Sequence, residues 1–236
     1  MILNKKNFFL TLNNNFSFEN KPHIAVAVSG GPDSMALVYL MKEWVSVKRG
    51  KILAILINHG IRNDADKECL ITQTYLKELN IHSKIIKIPK IKVLKKNMSE
   101  ARSNRYLKLV NYCNKKNILH LFIAHHYDDN LETYLIRKIS GSNLEGLGAM
   151  NFNFLRNKVQ ILRPLLNFSK KQILKFNKHN KIKYIEDPSN QNLKYTRVVI
   201  RNYLKNSNQI NYIKKYFENI RYHIPIYKKM LNLILH

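Results

Sequence analysis

The chain has 236 residues, 45% of them hydrophobic, which is enough to bury the core of one α/β domain with a small appendage. Its 41 Lys and Arg against 15 Asp and Glu give a formal net charge of +26, which predicts a polyanionic partner such as nucleic acid. Because Lys, Asn and Ile are abundant throughout, as a biased base composition would produce, the charge supports RNA binding without establishing it.

The two cysteines, Cys69 and Cys113, stand far apart and form no C-x-x-C motif. This spacing indicates neither a zinc site nor an iron–sulfur cluster, and it is typical of reduced thiols in a cytosolic protein. No apolar run approaches the length of a membrane span or of a signal peptide. The sequence therefore predicts a cytoplasmic protein without a membrane partner.

The first half of the chain alternates predicted strands and helices. A polar stretch over 1–21, expected to be a short helix or arm, precedes strands over 24–28, 51–58, 83–88 and 118–124. Helices are predicted from residue 35 and over 64–79, 99–114 and 128–139. This alternation indicates βαβ units and hence an α/β fold with a doubly wound parallel sheet. Ligands of such sheets bind beyond the carboxyl ends of the strands, where Ser29, His59 and His125 are expected.

The second half of the chain has fewer predicted strands and more loops and helices. Residues 141–150 are rich in glycine and predict a loop, and 159–166 predict a fifth strand. A helix capped by Ser169 is expected to run to about His179, residues 186–190 predict a turn, and helices without further strands are expected from Thr196 onward. We therefore expect a main domain over 1–205, with its core at about 22–204, and a short helical extension over 206–236.

The hexapeptide Ser29-Gly30-Gly31-Pro32-Asp33-Ser34 lies between the first strand and its helix. Glycines allow backbone N–H groups to approach a ligand, and a helix N-terminus favours a phosphate anion. The carboxylate of Asp33 would repel phosphates unless a cation such as Mg²⁺ lay between them. The structural alternative is a simple turn in which Ser34 or Asp33 caps the helix, but the whole hexapeptide favours phosphate binding.

A second cluster lies in the stretch AHHYDDNLET, residues 124–133. If a helix begins near Asp128, then His125, Asp128 or Asp129, and Glu132 share one face. Carboxylates there suit the ammonium groups of a cationic amino acid, and a histidine suits a phosphate or a leaving oxyanion. The alternative is a capping box formed by Asp129 and Glu132.

Two arginine pairs stand at helical spacing. Arg102 and Arg105 lie three residues apart, and Arg197 and Arg201 lie four apart. Guanidinium groups bind phosphate oxygens in a bidentate manner, so these pairs suit a nucleotide and an RNA backbone, respectively. The alternative for both pairs is a solvated basic surface.

SGGPDS after a hydrophobic strand resembles the PP-loop, the pyrophosphate-binding signature of the ATP pyrophosphatase superfamily. The resemblance implies that ATP is cleaved between its α and β phosphates and that AMP is passed to a carbonyl or carboxyl oxygen. Seven motifs together resemble the tRNA(Ile)-lysidine synthase family in their order over about residues 22–204. They are SGGPDS, HGIR at 59–62, ARSNRY at 101–106, AHHYDDNLET, GSNLEGLGAM at 141–150, RPLL at 163–166, and EDPSN at 186–190 followed by Arg197 and Arg201.

The resemblance implies a reaction and its partners. Free L-lysine would be joined to carbon 2 of the wobble cytidine in the CAU anticodon of tRNA(Ile), after ATP and Mg²⁺ have activated that carbon as an adenylate. The modified base then pairs with A rather than G, so decoding changes from AUG to AUA.

The same resemblance implies the roles of individual residues. ATP would be bound by Ser29, Gly30, Gly31, Pro32, Asp33 and Ser34, with Asp33 also contacting Mg²⁺. Catalysis would involve Asp33, Arg102, Arg105, His125 and His126. Lysine would be recognised by Asp129 and Glu132, and the anticodon stem would be held by Arg163, Arg197 and Arg201.

The sequence departs from the family pattern in the glycine-rich loop, where Asn143 and Ala149 stand at usual glycine positions. Longer relatives also carry C-terminal domains that grip the tRNA, so we expect discrimination against methionine tRNA to depend on this core and its charge. Two rival hypotheses are a PP-loop tRNA 2-thiolation enzyme, which would need sulfur-carrying cysteines, and a non-catalytic basic RNA-binding protein. The presence of Asp33, Asp129 and Glu132 argues against the second.

Overall fold

The computed structural model describes residues 2–58, 64–88, 98–186 and 196–234. Its strands over these ranges are β1 (His23–Val28), β2 (Lys51–Asn58), β3 (His82–Lys87), β4 (His120–Phe122), β5 (Asn153–Arg156) and β6 (Val159–Leu162). Its helices are α1 (Lys5–Asn15), α2 (Pro32–Val47), α3 (Ala65–Glu78), α4 (Met98–Lys115), α5 (Tyr127–Ile139), α6 (Leu144–Leu147), α7 (Lys170–His179), α8 (Thr196–Asn206) and α9 (Ile210–Ile234).

The strands of the described residues form one sheet in the order β3-β2-β1-β4-β6-β5. All neighbours are parallel except β5, which pairs antiparallel with β6. The predicted doubly wound α/β fold is therefore confirmed. The strand order reverses between β1 and β4, and the crevice beyond their carboxyl ends is where such sheets bind ligands.

The edge of the sheet differs from the sequence prediction. The strand predicted over 159–166 ends at Leu162, and an unpredicted strand, β5, precedes it in a hairpin. Asn157 and Lys158 form the hairpin turn with φ values of 46° and 66°. Positive φ at both central residues is what a two-residue hairpin turn requires, although the usual glycine is missing here.

Helices cover both faces of the sheet. Ile24 and Val26 of β1 belong to the core that contains α1, α2 and α7, whereas Ala25 belongs to the core that contains α4. Because strands with two buried faces carry apolar residues almost continuously, the HIAVAV sequence of β1 fits this central position. The loop after β1 therefore starts from a rigid base.

The chain divides into two compact units. Unit 1 comprises residues 1–126 and 152–186, and unit 2 comprises 127–151 and 187–236. This division differs from the predicted one, because α5 and α6 join α8 and α9 around a core of their own. That core contains the buried residues Leu131, Tyr134, Ile200, Leu204 and Phe217. None of the described helices is both long and apolar enough to cross a membrane.

The glycine-rich stretch of unit 2 folds around the short helix α6. Asn143 caps α6 by accepting a hydrogen bond from the Gly146 N–H at 2.9 Å, and its own φ is −63°. Ala149 has a φ of 57°, a left-handed conformation that costs an alanine free energy. Arg137 holds this strained turn, since its Nη1 donates at 2.7 Å to the carbonyl oxygens of both Gly146 and Ala149.

Candidate active site

The SGGPDS loop (residues 29–34) joins β1 to α2 at the reversal point of the sheet. Gly30 has a φ of 84°, and a Cβ added there would lie 2.4 Å from Oγ1 of Thr72, so a side chain is excluded by conformation and by space. Gly31 is the N-cap of α2 and Pro32 follows at the first helical position. The loop therefore leads into a helix N-terminus, whose free N–H groups and dipole favour an anion.

The two serines of the loop hold its shape. The backbone N–H of Ser29 donates to Oγ of Ser34 at 3.1 Å, and that hydroxyl donates to the Gly31 carbonyl at 3.0 Å. The hydroxyl oxygens of Ser29 and Ser34 lie 3.2 Å apart. Ser34 is buried and Ser29 is exposed, so Ser29 is the hydroxyl of this pair that a ligand can reach directly.

A segment of residues 170–185, which we call the clasp, fixes the loop from a distant part of the sequence. Nδ2 of Asn177 donates to the carbonyl of Pro32 at 2.9 Å, and the backbone N–H of Ile185 donates to the carbonyl of Gly30 at 2.8 Å. Asn177 is buried. No sequence motif identified either contact, because both join residues more than a hundred positions apart.

Asp33, in the first turn of α2, faces a lysine and a histidine. Nζ of Lys170 lies 2.7 Å from each of its carboxylate oxygens, and Nε2 of the buried His126 lies 3.8 Å from Oδ1. Lys170 is the first residue of α7, which Ser169 caps as predicted, and Gln172 completes a capping box there. Lys170 was not predicted as a site residue. Its only local signal in the sequence is its position at the start of a capped helix.

His125 and Arg163 form a second contact near the ends of β4 and β6. Nε of Arg163 donates to Nδ1 of His125 at 3.2 Å, and the guanidinium lies 4.6 Å from the ring centroid of Phe154. Arg163 is only 8% exposed. Its guanidinium is thus engaged by His125 and an aromatic ring, and its predicted contact with the anticodon stem stays a prediction.

In unit 2, Glu132 and Arg201 are paired, although the sequence analysis assigned them to different ligands. Nε and Nη2 of Arg201 donate to the two carboxylate oxygens of Glu132 at 2.7 and 3.2 Å. Burial raises the pKa of the Glu132 carboxyl above its usual range, and Arg201 opposes that rise. Arg197 donates to the hydroxyl of Thr133 at 3.2 Å.

The capping-box alternative for this motif is wrong. Helix α5 begins at Tyr127, so Asp129 lies inside its first turn rather than at the N-cap. Glu132 directs its carboxylate to Arg201 instead of to the start of the helix. Glu132 therefore takes no part in capping α5, and Asp128 and Asp129 lie in its first turn.

Some predicted residues are outside the described part of the chain. The 59–62 motif and residues 187–190 of the EDPSN motif lie there, as does the side chain of Arg102 on α4. Arg105, one turn further along α4, is half-buried.

Among the described residues, no group of three or more His, Cys, Asp and Glu side chains could hold a metal ion. Asp33 therefore supplies a single carboxylate at the SGGPDS loop. A single protein carboxylate fits Mg²⁺ when substrate phosphates supply further ligands, but it does not fit a metal held by protein alone. Burial raises the pKa of the Cys113 thiol to about 12, which leaves that thiol unreactive at neutral pH.

The fold and the glycine-bearing loop at the reversal point define a nucleotide-binding α/β protein. The chain belongs to the PP-loop family, since the family model described as "PP-loop domain" matches residues 4–208. The fold is also similar to that of the U34-tRNA thiolase NcsA from Methanococcus maripaludis with its [4Fe-4S] cluster. That structure has a TM-score of 0.73 and 20% identity, with 93% of this chain and 80% of that chain covered.

Curated relatives are named tRNA(Ile)-lysidine synthase. The protein of Wolbachia pipientis wMel is 40% identical over 203 residues, covering 84% of this chain and 46% of its own length. That of the Wolbachia from Brugia malayi is 42% identical, with 80% and 44% covered, and that of Orientia tsutsugamushi is 36% identical, with 80% and 43% covered. The chain thus spans less than half the length of these relatives.

Proposed function

We propose that the chain ligates L-lysine to carbon 2 of the wobble cytidine in the CAU anticodon of tRNA(Ile), using ATP and Mg²⁺ in the cytoplasm. The observation that carries this proposal is the PP-loop with Asp33 between Lys170 and His126, in a chain whose curated relatives bear that enzyme's name. The product would be lysidine, and decoding would change from AUG to AUA.

The reaction has two balanced steps. The C2 carbonyl oxygen of the cytidine attacks the α-phosphorus of ATP, and pyrophosphate leaves. A lysine amine then attacks C2, loses a proton, and displaces that oxygen as part of AMP. The first step converts a poor leaving oxygen into a good one, which is why the ligation consumes ATP.

The SGGPDS loop binds the leaving pyrophosphate in this proposal. Backbone N–H groups near Gly30 and Gly31 approach the phosphate oxygens, and the N-terminus of α2 stabilises their charge. Asp33 would hold Mg²⁺, which neutralises charge on the leaving group when it is bound. If Mg²⁺ took the place of Lys170 at the Asp33 carboxylate, the lysine side chain would turn and contact a phosphate oxygen instead.

His126 lies close enough to Asp33 to donate to the same phosphates. His125, held by Arg163, has a fixed ring orientation and donates to the developing charge. Arg102 and Arg105 of α4 supply further phosphate contacts. These assignments concern the stabilisation of charge that grows during the adenylation step.

Lysine recognition is assigned to Asp129 and Glu132. An ionised carboxylate has about four lone-pair sites, of which Arg201 uses two at Glu132, so further donors can still be accepted. Asp129 would supply further negative charge for the lysine side chain. Arg197 and Arg201 contribute positive charge toward tRNA, with Arg201 also orienting Glu132.

ATP–pyrophosphate exchange with and without tRNA(Ile), followed by incorporation of radiolabelled lysine into the CAU tRNA, tests the proposal. We expect lysine incorporation that requires ATP and is absent for a tRNA with a UAU anticodon. Incorporation of sulfur instead of lysine would favour the 2-thiolation alternative. The chain has only two cysteines and Cys113 is buried, which argues against that alternative. RNA binding without any exchange or ligation would favour the non-catalytic alternative.

A further inference from the structure

The exposed tyrosines of this protein are concentrated in unit 2. The described tyrosines that are more than two-fifths exposed all lie on α8 or α9, and they are Tyr203, Tyr212, Tyr216, Tyr222 and Tyr227. The other described tyrosines are buried or half-buried. Because exposed aromatic side chains in a group mark interaction sites, this concentration indicates a binding surface in unit 2.

One face of α9 carries a regular series of these rings. Tyr212, Tyr216, His223 and Tyr227 follow at spacings that place them on the same side of a helix, whereas the buried Phe217 points to the core of unit 2. We call these four residues the tyrosine face. The rings of Tyr212 and Tyr216 lie 6.4 Å apart with an interplanar angle of 25°.

The segment of the sequence that carries this face is rich in positive charge. Residues 196–236 contain one acidic residue, Glu218, and eight basic ones. The basic residues are Arg197, Arg201, Lys205, Lys214, Lys215, Arg221, Lys228 and Lys229. The ammonium of Lys138 on α5 also lies 4.6 Å from the ring centroid of Tyr216.

The combination favours RNA over protein as the partner. Protein interfaces are enriched in tyrosine but depleted in lysine, so a second protein explains the rings without explaining the charge. Surfaces that bind single-stranded nucleic acid combine aromatic rings, on which bases stack, with cations that follow the phosphates. Paired bases cannot stack on protein rings without leaving their own helix.

We propose that the tyrosine face is a stacking surface for unpaired RNA bases, with Lys138 and Lys215 contacting the adjacent phosphates. None of these residues belongs to the SGGPDS loop or to the proposed lysine carboxylates. The proposed function enters only in that the RNA bound in the cell would be tRNA(Ile). Its affinity for unpaired RNA can be measured without ATP, lysine or modification.

The test is fluorescence anisotropy of a labelled 12-nucleotide oligouridine and of a 12-base-pair RNA duplex, titrated with the full chain over a salt series. Combined Tyr212→Ala and Tyr216→Ala substitutions remove two stacking rings, so they should weaken oligouridine binding by at least roughly 30-fold and affect the duplex much less. The slope of log K against log salt should stay unchanged, since no phosphate contact is lost. Lys215→Ala should shallow that slope by about 0.7.

Two controls separate stacking from other effects. Tyr212→Phe with Tyr216→Phe keeps the rings and should keep the affinity. Leu155→Ala removes an apolar side chain of unit 1 that is 70% exposed and should change nothing. Oligouridine affinity that is unaltered by the two alanines would overturn the proposal.

Sedimentation velocity identifies the competing occupant. A wild-type dimer that the two alanines dissociate would assign the tyrosine face to a second copy of the chain and overturn the RNA assignment. If lysine ligation fails while the variants still change oligouridine binding as expected, the proposed function is wrong and the RNA-stacking surface is supported.

Discussion

Two acid–base pairs, Asp33–Lys170 in unit 1 and Glu132–Arg201 in unit 2, are built differently. Each joins an acidic residue of a sequence motif to a basic residue of a later helix. The side chains of Asp33 and Lys170 are 27% and 37% exposed, and one ammonium contacts both carboxylate oxygens. The Glu132 side chain is 2% exposed and receives two N–H groups from a guanidinium.

We expect the Asp33–Lys170 pair to exchange its partners when a ligand binds and the Glu132–Arg201 pair to stay fixed. A lysine ammonium is a compact charge on a flexible stem, so it can leave a carboxylate for a phosphate at low cost. A buried carboxylate that loses a bidentate guanidinium is left unpaired in a medium of low dielectric, which is strongly unfavourable. We therefore expect perturbation of the first pair to alter ligand binding and perturbation of the second to alter stability.

The largest effect is expected from Asp33→Ala. Adenylation should fall roughly 10²- to 10³-fold, because charge on the leaving pyrophosphate loses its stabilising partner. The melting temperature should stay close to that of the wild type. Single-turnover adenylation and thermal unfolding measure the two quantities, and Glu43→Ala, which breaks a lysine pair elsewhere on α2, is the matched control. Near wild-type adenylation would exclude the metal role of Asp33.

A large loss of stability is expected from Arg201→Met. The unpaired Glu132 should lower the free energy of unfolding by about 3 kcal/mol, and Glu132→Leu in the same chain should recover part of that loss. Urea unfolding of the two single variants and the double variant measures the coupling. Simple addition of the two single effects would show that the pair does not stabilise unit 2.

A smaller and purely functional effect is expected from Lys170→Ala. Affinity for ATP should fall about tenfold, the cost of one hydrogen-bonded charge, while the free energy of unfolding changes by less than about 0.5 kcal/mol. Isothermal titration with ATP measures the affinity. Lys171→Ala, on the exposed side of the same helix, should bind ATP as the wild type does. Equal losses for both variants would point to a general charge effect.

The smallest effect concerns pH. Burial holds the pKa of Glu132 above its usual value near 4.5, so the native state binds this proton more tightly than the unfolded state does. The contribution of Glu132 to stability should therefore be full below pH 4.5 and decline as the pH rises through the raised pKa. Unfolding of wild type and Glu132→Gln between pH 4 and 7 measures it, and a wild type that gains stability relative to the variant as the pH rises would contradict this sign.

The sequence predicted what is encoded locally and missed what depends on distant contacts. The SGGPDS loop could be recognised because six adjacent residues determine a turn and a helix start. Lys170 could not be connected to Asp33, 137 positions away, without the fold. The β5–β6 hairpin was missed because Asn157 and Lys158 lack the glycine that usually marks such a turn. Arg163 could not be recognised as buried, because an aromatic ring and His125 accept its guanidinium only after β6 joins the sheet.

The clasp determines when, during synthesis of the chain, the SGGPDS loop gains its distant contacts. Lys170, Asn177 and the backbone of Ile185 reach the SGGPDS loop from residues that the ribosome adds long after the loop itself has been made. Domains generally fold as units, and these contacts are missing until the end of the clasp has been synthesised. A nascent chain that has not yet reached residue 185 holds the complete hexapeptide without its clasp. The loop therefore gains these contacts only after Ile185 has been added, although its own six residues are translated much earlier.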